Sequence, residues 1–349
     1  MKAEAQRGAR PVPRFELAPG YSVARVINGC WQLAGGHGGG DPADFALRLD
    51  RLVAAGFTTF DCADIYTGVE ELLGRLGKGR SIEVHTKYVP DLEELPRLRR
   101  RDVERGIDRS LARLGVERLD LVQFHWWDYE IAGYVEAAGW LGELVAAGKI
   151  RRLGVTNFDA RRLEEMLDAG APIVSSQTQY SLLDRRAAGE MTRLATRRGL
   201  GLLCYGALAG GFVSDGWRGR PEPAADANRS HTKYRLIVDE LGGWNALQEI
   251  LEALAAVASR HGVTSANVAA RWVLEQPAVG AVILGLGRGD RVAENQAIFA
   301  FDLDEEDHRR LDAVLARHPG PSGPVFGLER EPGGRHEVLL KKNLQKEGV

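Results

Sequence analysis

The stretch TTFDCADIYTGVEELLGRLGKGRSIEVHTKY, residues 58–88, contains the unit that decides the fold. It begins and ends with a short apolar segment, TTFDCAD and IEVHTKY, and apolar residues recur at helical spacing through VEELLGRLG between them. Strands that alternate with helices of this length form right-handed crossovers in a parallel sheet. This stretch therefore predicts an α/β fold with parallel strands.

The same unit recurs along the chain, and eight segments are expected to be strands of one sheet. They are RVINGCWQL, TTFDCAD, IEVHTKY, LDLVQFHW, IRRLGVTN, IVSSQTQY, GLLCYGAL and VGAVILGLG. Eight such strands, with a polar group at the end of nearly every one, predict a closed (β/α)8 TIM barrel. The Pro-Gly turn in FELAPGYSVAR predicts a short hairpin ahead of the first barrel strand.

One barrel accounts for most of the chain. We predict a disordered N-terminus over residues 1–13, a barrel domain over 14–318 and a C-terminal tail, interrupted by Pro and Gly, over 319–349. The segment 210–244, after the seventh barrel strand, contains no convincing strand, and loops this long are usually functional. Two helices precede the eighth strand, and an amphipathic C-terminal helix in EEDHRRLDAVLARH follows it.

The composition narrows the possible partners. The 46 Lys and Arg residues against 48 Asp and Glu leave a net charge of −2, which gives no general attraction to nucleic acid. Cys30, Cys62 and Cys204 lie in predicted strands without paired spacing, so we expect buried thiols in a reducing compartment. Neither a signal peptide nor a run of about 18 apolar residues is found. We expect a cytoplasmic protein without membrane contact, and a protein partner stays open.

Four polar residues at or near the ends of predicted strands, Asp61, Tyr66, Lys87 and His125, are suited to the reduction of a carbonyl group. The carbonyl oxygen needs a proton as hydride reaches the carbon, and Tyr66 is a poor donor unless a cation lowers its pKa from about 10. Lys87 can be that cation and is expected to lower the pKa by about two to three units. Asp61 could keep Lys87 charged and in position, and His125 could hydrogen-bond the substrate oxygen.

Each of these residues also has a simpler interpretation. Taken alone, Tyr66 fits a loop aromatic, His125 a hydrogen-bonded core histidine and Asp61 a helix or turn cap. Lys87 is harder to explain in this way, because an unpaired ammonium group inside a strand is costly. Together, at successive strand ends, the four favour an active site.

These motifs resemble those of the aldo-keto reductase family. FDCADIYTGVEELLG is similar to the family's Asp-to-Tyr segment, HTKY to its lysine strand, QFHW to its histidine strand and GVTNF to its fifth strand. With SQTQYS, LLCYGALAGG and RVAEN, the resemblance covers roughly residues 25–300. It implies a (β/α)8 fold, the four residues above as a catalytic tetrad, and NADPH as the usual cofactor. QYSLLDR and the long loop after the seventh strand are similar to the branch with potassium-channel β subunits and bacterial oxidoreductases.

The resemblance also implies where a cofactor binds. Asn157 and Gln177 would bind the nicotinamide carboxamide, with Thr156 nearby, and Tyr205 would stack on the nicotinamide ring. Small residues after the seventh strand would let the backbone approach the pyrophosphate. The further predicted cofactor residues are Gly206, Leu208, Gly210, Gly285, Gly287, Arg288, Arg291, Glu294 and Asn295. In the simpler interpretation, Asn157 caps the next helix and Gln177 is an amide of the barrel core.

The segment after the eighth strand differs from the family's usual pattern. The family often supplies Lys or Ser to the 2′-phosphate, whereas residues 285–290 here read GLGRGD. Arg288 and Arg291 could replace those contacts, and Asp290 would repel a phosphate if it faced the site. We expect NADP(H) as the cofactor, and NAD(H) stays possible.

The substrate end offers fewer signals. Trp31, Trp126 and Trp127 follow strand ends and are predicted to form an apolar wall of the substrate pocket, although tryptophan also packs ordinarily at such positions. The sequence has no cluster with metal-ligand spacing and no serine in a G-x-S-x-G context. We therefore expect neither a metal nor acyl-enzyme chemistry.

Two functions of different classes follow from these patterns. The first is an NADP(H)-dependent oxidoreductase that converts an aldehyde or ketone to an alcohol, or the reverse, with Tyr66 as general acid/base. The alternative is a regulatory, partner-binding protein that uses a retained NADPH site as a redox sensor, and it would turn over very slowly. A barrel lyase or isomerase without a redox cofactor conflicts with GVTNF and RVAEN. The sequence does not identify the carbonyl compound.

Overall fold

The structure is a computed structural model that describes residues 12–34, 42–224, 228–286 and 290–337. Its centre is a closed barrel of eight parallel strands in the order β10-β3-β4-β5-β6-β7-β8-β9. These strands are β3 (Val26–Gly29), β4 (Thr59–Asp61), β5 (Glu83–Tyr88), β6 (Leu119–Phe124), β7 (Ile150–Thr156), β8 (Ile173–Gln179), β9 (Gly201–Tyr205) and β10 (Val279–Gly285). The predicted (β/α)8 barrel is confirmed.

Helices cover the outside of the barrel. Those before β10 are α1 (Pro42–Ala54), α2 (Val69–Gly77), α3 (Arg100–Leu114), α4 (Tyr134–Ala146), α5 (Ala160–Asp168), α6 (Glu190–Arg198), α7 (Arg229–Leu241), α8 (Trp244–His261) and α9 (Ser265–Leu274). Those after it are α10 (Val292–Ala297), α11 (Glu305–Arg317) and α12 (Gly327–Arg330). Within the described residues, no helix is long and apolar enough to cross a membrane.

Alternation along the strands separates the polar interior from the helix-covered exterior. In β5, Lys87 bonds to Asp61 inside the barrel, whereas the hydroxyl of Thr86 donates to Glu70 of α2 at 2.6 Å. Both faces are therefore buried, which explains why these strands read as nearly continuous apolar runs with isolated polar residues.

The predicted hairpin is present and closes the amino-terminal end of the barrel. Strands β1 (Arg14–Ala18) and β2 (Tyr21–Ala24) pair antiparallel, and their apolar side chains pack into the barrel floor. Gly201 and Gly280 permit this, because a Cβ atom there would lie 2.3 Å from Leu17 and 2.7 Å from Phe15, respectively. With this end closed, a cavity can open only at the carboxyl ends of the strands.

The segment 210–244 contains a helix, α7, that the sequence analysis did not identify. The side chain of Asn228 caps it by accepting from the backbone N–H groups of Ser230 and His231, and Gly242 ends it with a φ of 119°. These are ordinary start and stop signals. The helix was missed because its exposed polar face hides the apolar spacing.

The two ends of the described chain pack against the barrel. Most of the predicted disordered N-terminus lies outside the described residues, but Val12 is buried and Pro13 accepts a backbone hydrogen bond from Arg25 at 2.9 Å. Disorder is therefore wrong for these two positions. Residues 319–337 cross the open end of the barrel, where Glu329 is buried beside Arg186.

Candidate active site

One cavity of about 590 Å³ lies at the carboxyl ends of the barrel strands. It brings together most of the residues that the sequence singled out. These are Trp31, Asp61, Tyr66, Lys87, His125, Trp127, Thr156, Asn157, Gln177, Tyr205, Gly206, Leu208, Gly210, Gly285, Arg291, Glu294 and Asn295. The predicted residues Gly287 and Arg288 lie outside the described part of the chain.

Lys87 and Asp61 form a buried ion pair at the base of this cavity. The ammonium Nζ donates to Asp61 Oδ2 at 2.6 Å and to Cys62 O at 2.8 Å. Burial acts to lower the pKa of Lys87, but the Asp61 carboxylate and the Tyr66 phenol outweigh it and raise the pKa above its ordinary value. Lys87 is therefore a fixed cation, held at the position where the strand ends.

Two amides hold the other oxygen of Asp61. Gln123 Nε2 donates to Oδ1 at 2.8 Å and Gln177 Nε2 at 2.7 Å, and Gln177 also donates to Gln123 Oε1 at 2.9 Å. Gln123 is a further residue of the site, and its only signal in the sequence is its inward position two residues before His125. Both N–H groups of the Gln177 side chain are used in bonds inside the barrel. Gln177 can therefore bind a ligand only as an acceptor, through its carbonyl oxygen.

Lys87 acts to lower the pKa of Tyr66, as expected, but burial outweighs it, so the net decrease of about two to three units is not found. Burial raises the pKa of the phenol to about 12, and the positive charge of Lys87 offsets only part of that increase. Lys87 Nζ lies 5.2 Å from the centroid of the Tyr66 ring, and its charge is balanced by Asp61. The phenol therefore keeps its proton across the neutral range and is available as a proton donor.

His125 is neutral and has a defined tautomer. Its Nδ1 lies 3.1 Å from the carbonyl oxygen of Thr156, and because a carbonyl only accepts, Nδ1 carries the proton. Burial, followed by the charge of Arg330, lowers the pKa of His125 to about 3. Nε2 is then an acceptor, so the hydrogen bond to the substrate oxygen that the sequence suggests would be one that His125 accepts from a hydroxyl group.

Asn157 and Tyr205, two of the residues predicted to bind the nicotinamide, are in contact with each other. Tyr205 Oη donates to Asn157 Oδ1 at 2.7 Å, and Asn157 has a left-handed backbone with a φ of 62°. Its alternative role as a helix cap is wrong, because Asp159 caps α5 by accepting from Arg162 N at 2.9 Å. The ring of Tyr205 thus stands beside the amide group that follows β7.

Helix α7 covers the loop after β9. The side chain of Tyr234 lies so close that a Cβ atom at Gly206 would be 2.5 Å from its hydroxyl oxygen and one at Gly210 2.7 Å from its ring. Lys233 lines the cavity with Nζ 4.7 Å from the centroid of the Tyr205 ring and makes no hydrogen bond or ion pair with any described residue. Burial lowers its pKa. Sequence reasoning missed this ammonium group.

The far end of the cavity, which is the end lined by Arg291 and Glu294, is more exposed than the end lined by Lys87. Arg291 Nη1 pairs with Glu294 Oε2 at 2.8 Å, and the two side chains are 51% and 36% exposed. Asp290 pairs with Arg51 and does not line the large cavity. The charge of Asp290 is therefore compensated by Arg51.

The substrate end is aromatic, but its walls differ from the prediction. Trp31 and Trp127 line the cavity, whereas Trp126 is fully buried and donates from Nε1 to Ile131 O at 2.9 Å. Trp126 is therefore part of the core, because adjacent residues of an extended segment point in opposite directions. Phe326, which the sequence did not indicate, provides the missing wall with its ring centroid 5.9 Å from that of His125.

No metal site competes with this cavity in the described ranges, where no group of three or more His, Cys, Asp or Glu side chains could hold a metal ion.

Comparisons with known proteins agree with this geometry. A sequence model described as the Aldo/keto reductase family matches residues 25–316. Aldo-keto reductase YhdN of Bacillus subtilis (strain 168) is 27% identical over 335 residues, which are 91% of this chain and 97% of that protein. NADH-specific methylglyoxal reductase of Escherichia coli (strain K12) is 25% identical and covers 82% and 93%. The structure of glycerol dehydrogenase AKR11B4 from Gluconobacter oxydans matches with a TM-score of 0.75, 26% identity and coverage of 91% and 99%.

Proposed function

Because the chain belongs to the aldo/keto reductase family, whose members are oxidoreductases that reduce carbonyl groups with nicotinamide cofactors, we propose that it interconverts an aldehyde or ketone and an alcohol with NADP(H). The observation that carries this proposal is that the half-buried Tyr66 and the ion-paired cation Lys87 lie in one cavity, with Lys87 Nζ 5.2 Å from the centroid of the Tyr66 ring. A phenol next to an ammonium group can release a proton when negative charge develops on a neighbouring oxygen.

The residues that line the cavity are suited to a nicotinamide dinucleotide. The carbonyl oxygen of Gln177 accepts one long bond from the Thr156 hydroxyl at 3.4 Å and can accept a second from a carboxamide, next to Asn157, and the Tyr205 ring can stack on a nicotinamide ring. The glycine-rich turn after β9 lets the backbone approach a diphosphate. Lys233, whose N–H groups have no hydrogen-bond acceptor among the described residues, lines the same cavity as this turn and lies over the ring of Tyr205, which directly precedes it, so it can bind the same anion.

Each polar residue then has a defined role in the reaction. The bound cofactor supplies or accepts hydride. Tyr66 donates its Oη proton to the substrate oxygen, and the charge of Lys87 stabilises the phenolate that is left. Asp61 balances Lys87 and, held by two amides, keeps it in place. His125 Nε2 accepts a hydrogen bond from the hydroxyl group of the alcohol.

NADP(H) is proposed over NAD(H) because of the charges at the far end of the cavity. Arg291 lines the cavity, and the one carboxylate that was expected to oppose a 2′-phosphate, Asp290, pairs with Arg51 instead. An exposed pair such as Arg291–Glu294 contributes little by itself, so a phosphate can replace Glu294 as the partner of Arg291.

The test is an oxidation screen with purified protein. NADPH and NADH are each offered with a panel of aldehydes, ketones and sugars, and the Tyr66→Phe variant serves as the control for background oxidation. Faster oxidation by the wild type than by the variant supports the proposal. Tight NADPH binding without turnover on the whole panel contradicts it and favours the redox-sensor alternative.

A further inference from the structure

The segment 319–337 carries a half-buried cation, Arg330, to the open end of the barrel. Arg330, at the end of α12, donates from Nη2 to Trp126 O at 2.6 Å, from Nη1 to Asn157 O at 2.7 Å and from Nε to Trp127 O at 3.2 Å. A planar guanidinium presents its N–H groups in a rigid fork. The three carbonyl oxygens are therefore held in a fixed arrangement by one side chain.

These carbonyls belong to the two chain segments that hold His125. Two of them directly follow His125, and the third directly follows Thr156, whose own carbonyl accepts the proton of His125 Nδ1 at 3.1 Å. Arg330 thus binds the chain on both sides of the hydrogen bond that sets the tautomer of His125.

The contact with Asn157 fixes a strained position. A left-handed φ of 62° is unfavourable for a residue with a side chain, although Asn tolerates it better than most. Arg330 binds the carbonyl of Asn157, while Tyr205 Oη donates to its side chain at 2.7 Å. The amide that is proposed to contact the nicotinamide is therefore held from two directions.

Arg330 also acts on His125 through its charge. Among the described residues it makes no ion pair, and the groups that act on its own charge most strongly are Tyr129, Asp159, Glu329 and Tyr205. The two carboxylates are already paired with Arg162 and Arg186. After burial, the charge of Arg330 is the main cause that lowers the pKa of His125, with a smaller effect from Lys87, while the hydrogen bond to Thr156 opposes both.

We propose that Arg330 is a positioning residue for the carbonyl reaction. It fixes the hydrogen bond between His125 and Thr156 and the backbone of Asn157, and so orients the groups that contact the substrate oxygen and the carboxamide. The inference rests on the proposed function. Arg330 itself does not line the cavity, so its effect passes through these residues.

Two variants of Arg330 and one control separate positioning from a general effect on folding. Arg330→Met removes the three donors and the charge, and Arg330→Lys keeps the charge but cannot reach three carbonyls. Arg335→Met, in the same segment, removes a 63% exposed side chain that pairs with Asp239. We expect kcat to fall about 10- to 100-fold in both Arg330 variants with KM within a few-fold, because small displacements of reacting groups reduce rates strongly. The control should keep its kcat.

The second readout is the tautomer of His125, measured by ¹⁵N NMR of histidine-labelled protein at pH 7 and assigned with His125→Gln. The wild type should show a protonated, slowly exchanging Nδ1, and Arg330→Met should show both tautomers and faster exchange. A folded Arg330→Met with unchanged kcat and tautomer overturns the proposal. If it does not fold, unchanged kcat and tautomer in Arg330→Lys overturn it instead. The NMR measurement needs no substrate, so failure to find turnover contradicts only the proposed function.

Discussion

The tetrapeptide His-Thr-Lys-Tyr occurs twice in this chain, in strand β5 at 85–88 and in helix α7 at 231–234. In the strand, Lys87 is buried in an ion pair with Asp61 at 2.6 Å. In the helix, Lys233 makes no hydrogen bond or ion pair with the described residues and lies over the rings of Tyr205 and Tyr234. The same four letters give a fixed cation in one place and an available cation in the other.

The difference comes from what the fold places opposite each lysine. A strand sends Lys87 inward and its neighbours outward, where Thr86 bonds to α2. A helix sends consecutive residues only about 100° apart, so Lys233 and Tyr234 reach the same cavity. In the proposed function, the first lysine serves the chemistry and the second serves ligand binding, and four predictions test this division.

The largest effect is expected from Tyr66→Phe. It tests the proposed role of Lys87 by removing the phenol that Lys87 would assist. The variant keeps the ring and removes the acid, so kcat should fall by roughly 10²–10⁴ while NADPH affinity stays within a few-fold. Steady-state kinetics and a fluorescence titration measure the two quantities. Turnover close to that of the wild type would show that Lys87 has no phenol to assist.

Asp61→Asn should destabilise the protein by about 3–5 kcal/mol, because it leaves the ammonium of Lys87 buried without its counter-ion. The matched control is Asp50→Asn, which breaks the surface pair with Arg80 and should change the free energy of unfolding much less, because exposed ion pairs contribute little. Urea unfolding at constant pH gives both values. Equal losses of unfolding free energy in the two variants would mean that buried Lys87 does not depend on Asp61 as its counter-ion.

His85, the histidine of the tetrapeptide in strand β5, should make the stability of the folded protein sensitive to acid. Burial lowers the pKa of His85 to about 4 from 6.5, so between these values the unfolded chain binds a proton that the folded chain does not. Stability is therefore lost as pH falls through this window, by about 3 kcal/mol at pH 4. Between pH 6.5 and 4, the His85→Gln variant should lose less unfolding free energy than the wild type, by this amount, as measured by urea unfolding. Equal losses in the wild type and the variant would contradict the burial of an uncharged His85 ring.

The smallest effects are expected at Arg291 and Lys233. The two residues should differ in which cofactor's affinity they change. Arg291→Ala should weaken NADPH roughly ten- to a hundredfold and leave NADH almost unchanged, because only NADPH has a 2′-phosphate. Lys233→Met should weaken both cofactors by about tenfold, because the diphosphate is common to them. The measurement is a set of dissociation constants for both cofactors in each variant and the wild type.

Two results would revise this cofactor assignment. A wild type that prefers NADH would contradict the role of Arg291. Unchanged affinity for both cofactors in Lys233→Met would show that the helix lysine only packs on Tyr205. Amide exchange of α7 with and without NADPH provides an independent check, since a helix that covers the cofactor should be protected by it.

The barrel and the residues around the cavity were predictable because the strands carry local signals. Each is an apolar run with polar residues at or near its end, and the end of every parallel strand lies at the same edge of the barrel. Gln123 gave a weaker signal, since an amide in an apolar strand is equally compatible with a core hydrogen bond. Trp126 was misassigned because sequence alone does not tell which of two adjacent tryptophans points outward.

The remaining features depend on contacts between distant parts of the chain. Arg330 and Phe326 lie about 200 residues after His125, and the Pro/Gly-rich segment that carries them has no periodic pattern to indicate where it packs. The pKa of Tyr66 depends on how deeply the phenol is buried, which residue types do not reveal. Both could be found only from the assembled structure.

The hairpin that closes one end of the barrel makes the two termini unequal as points of attachment. The described chain starts at Val12 beside the closed floor, whereas residues 319–337 cross the cavity that reactants must enter. Phe326 and Glu329 of the second segment line the cavity, so a group inserted there would disturb the path of reactants. Immobilisation for biocatalysis should therefore use attachment points on the side of the closed floor.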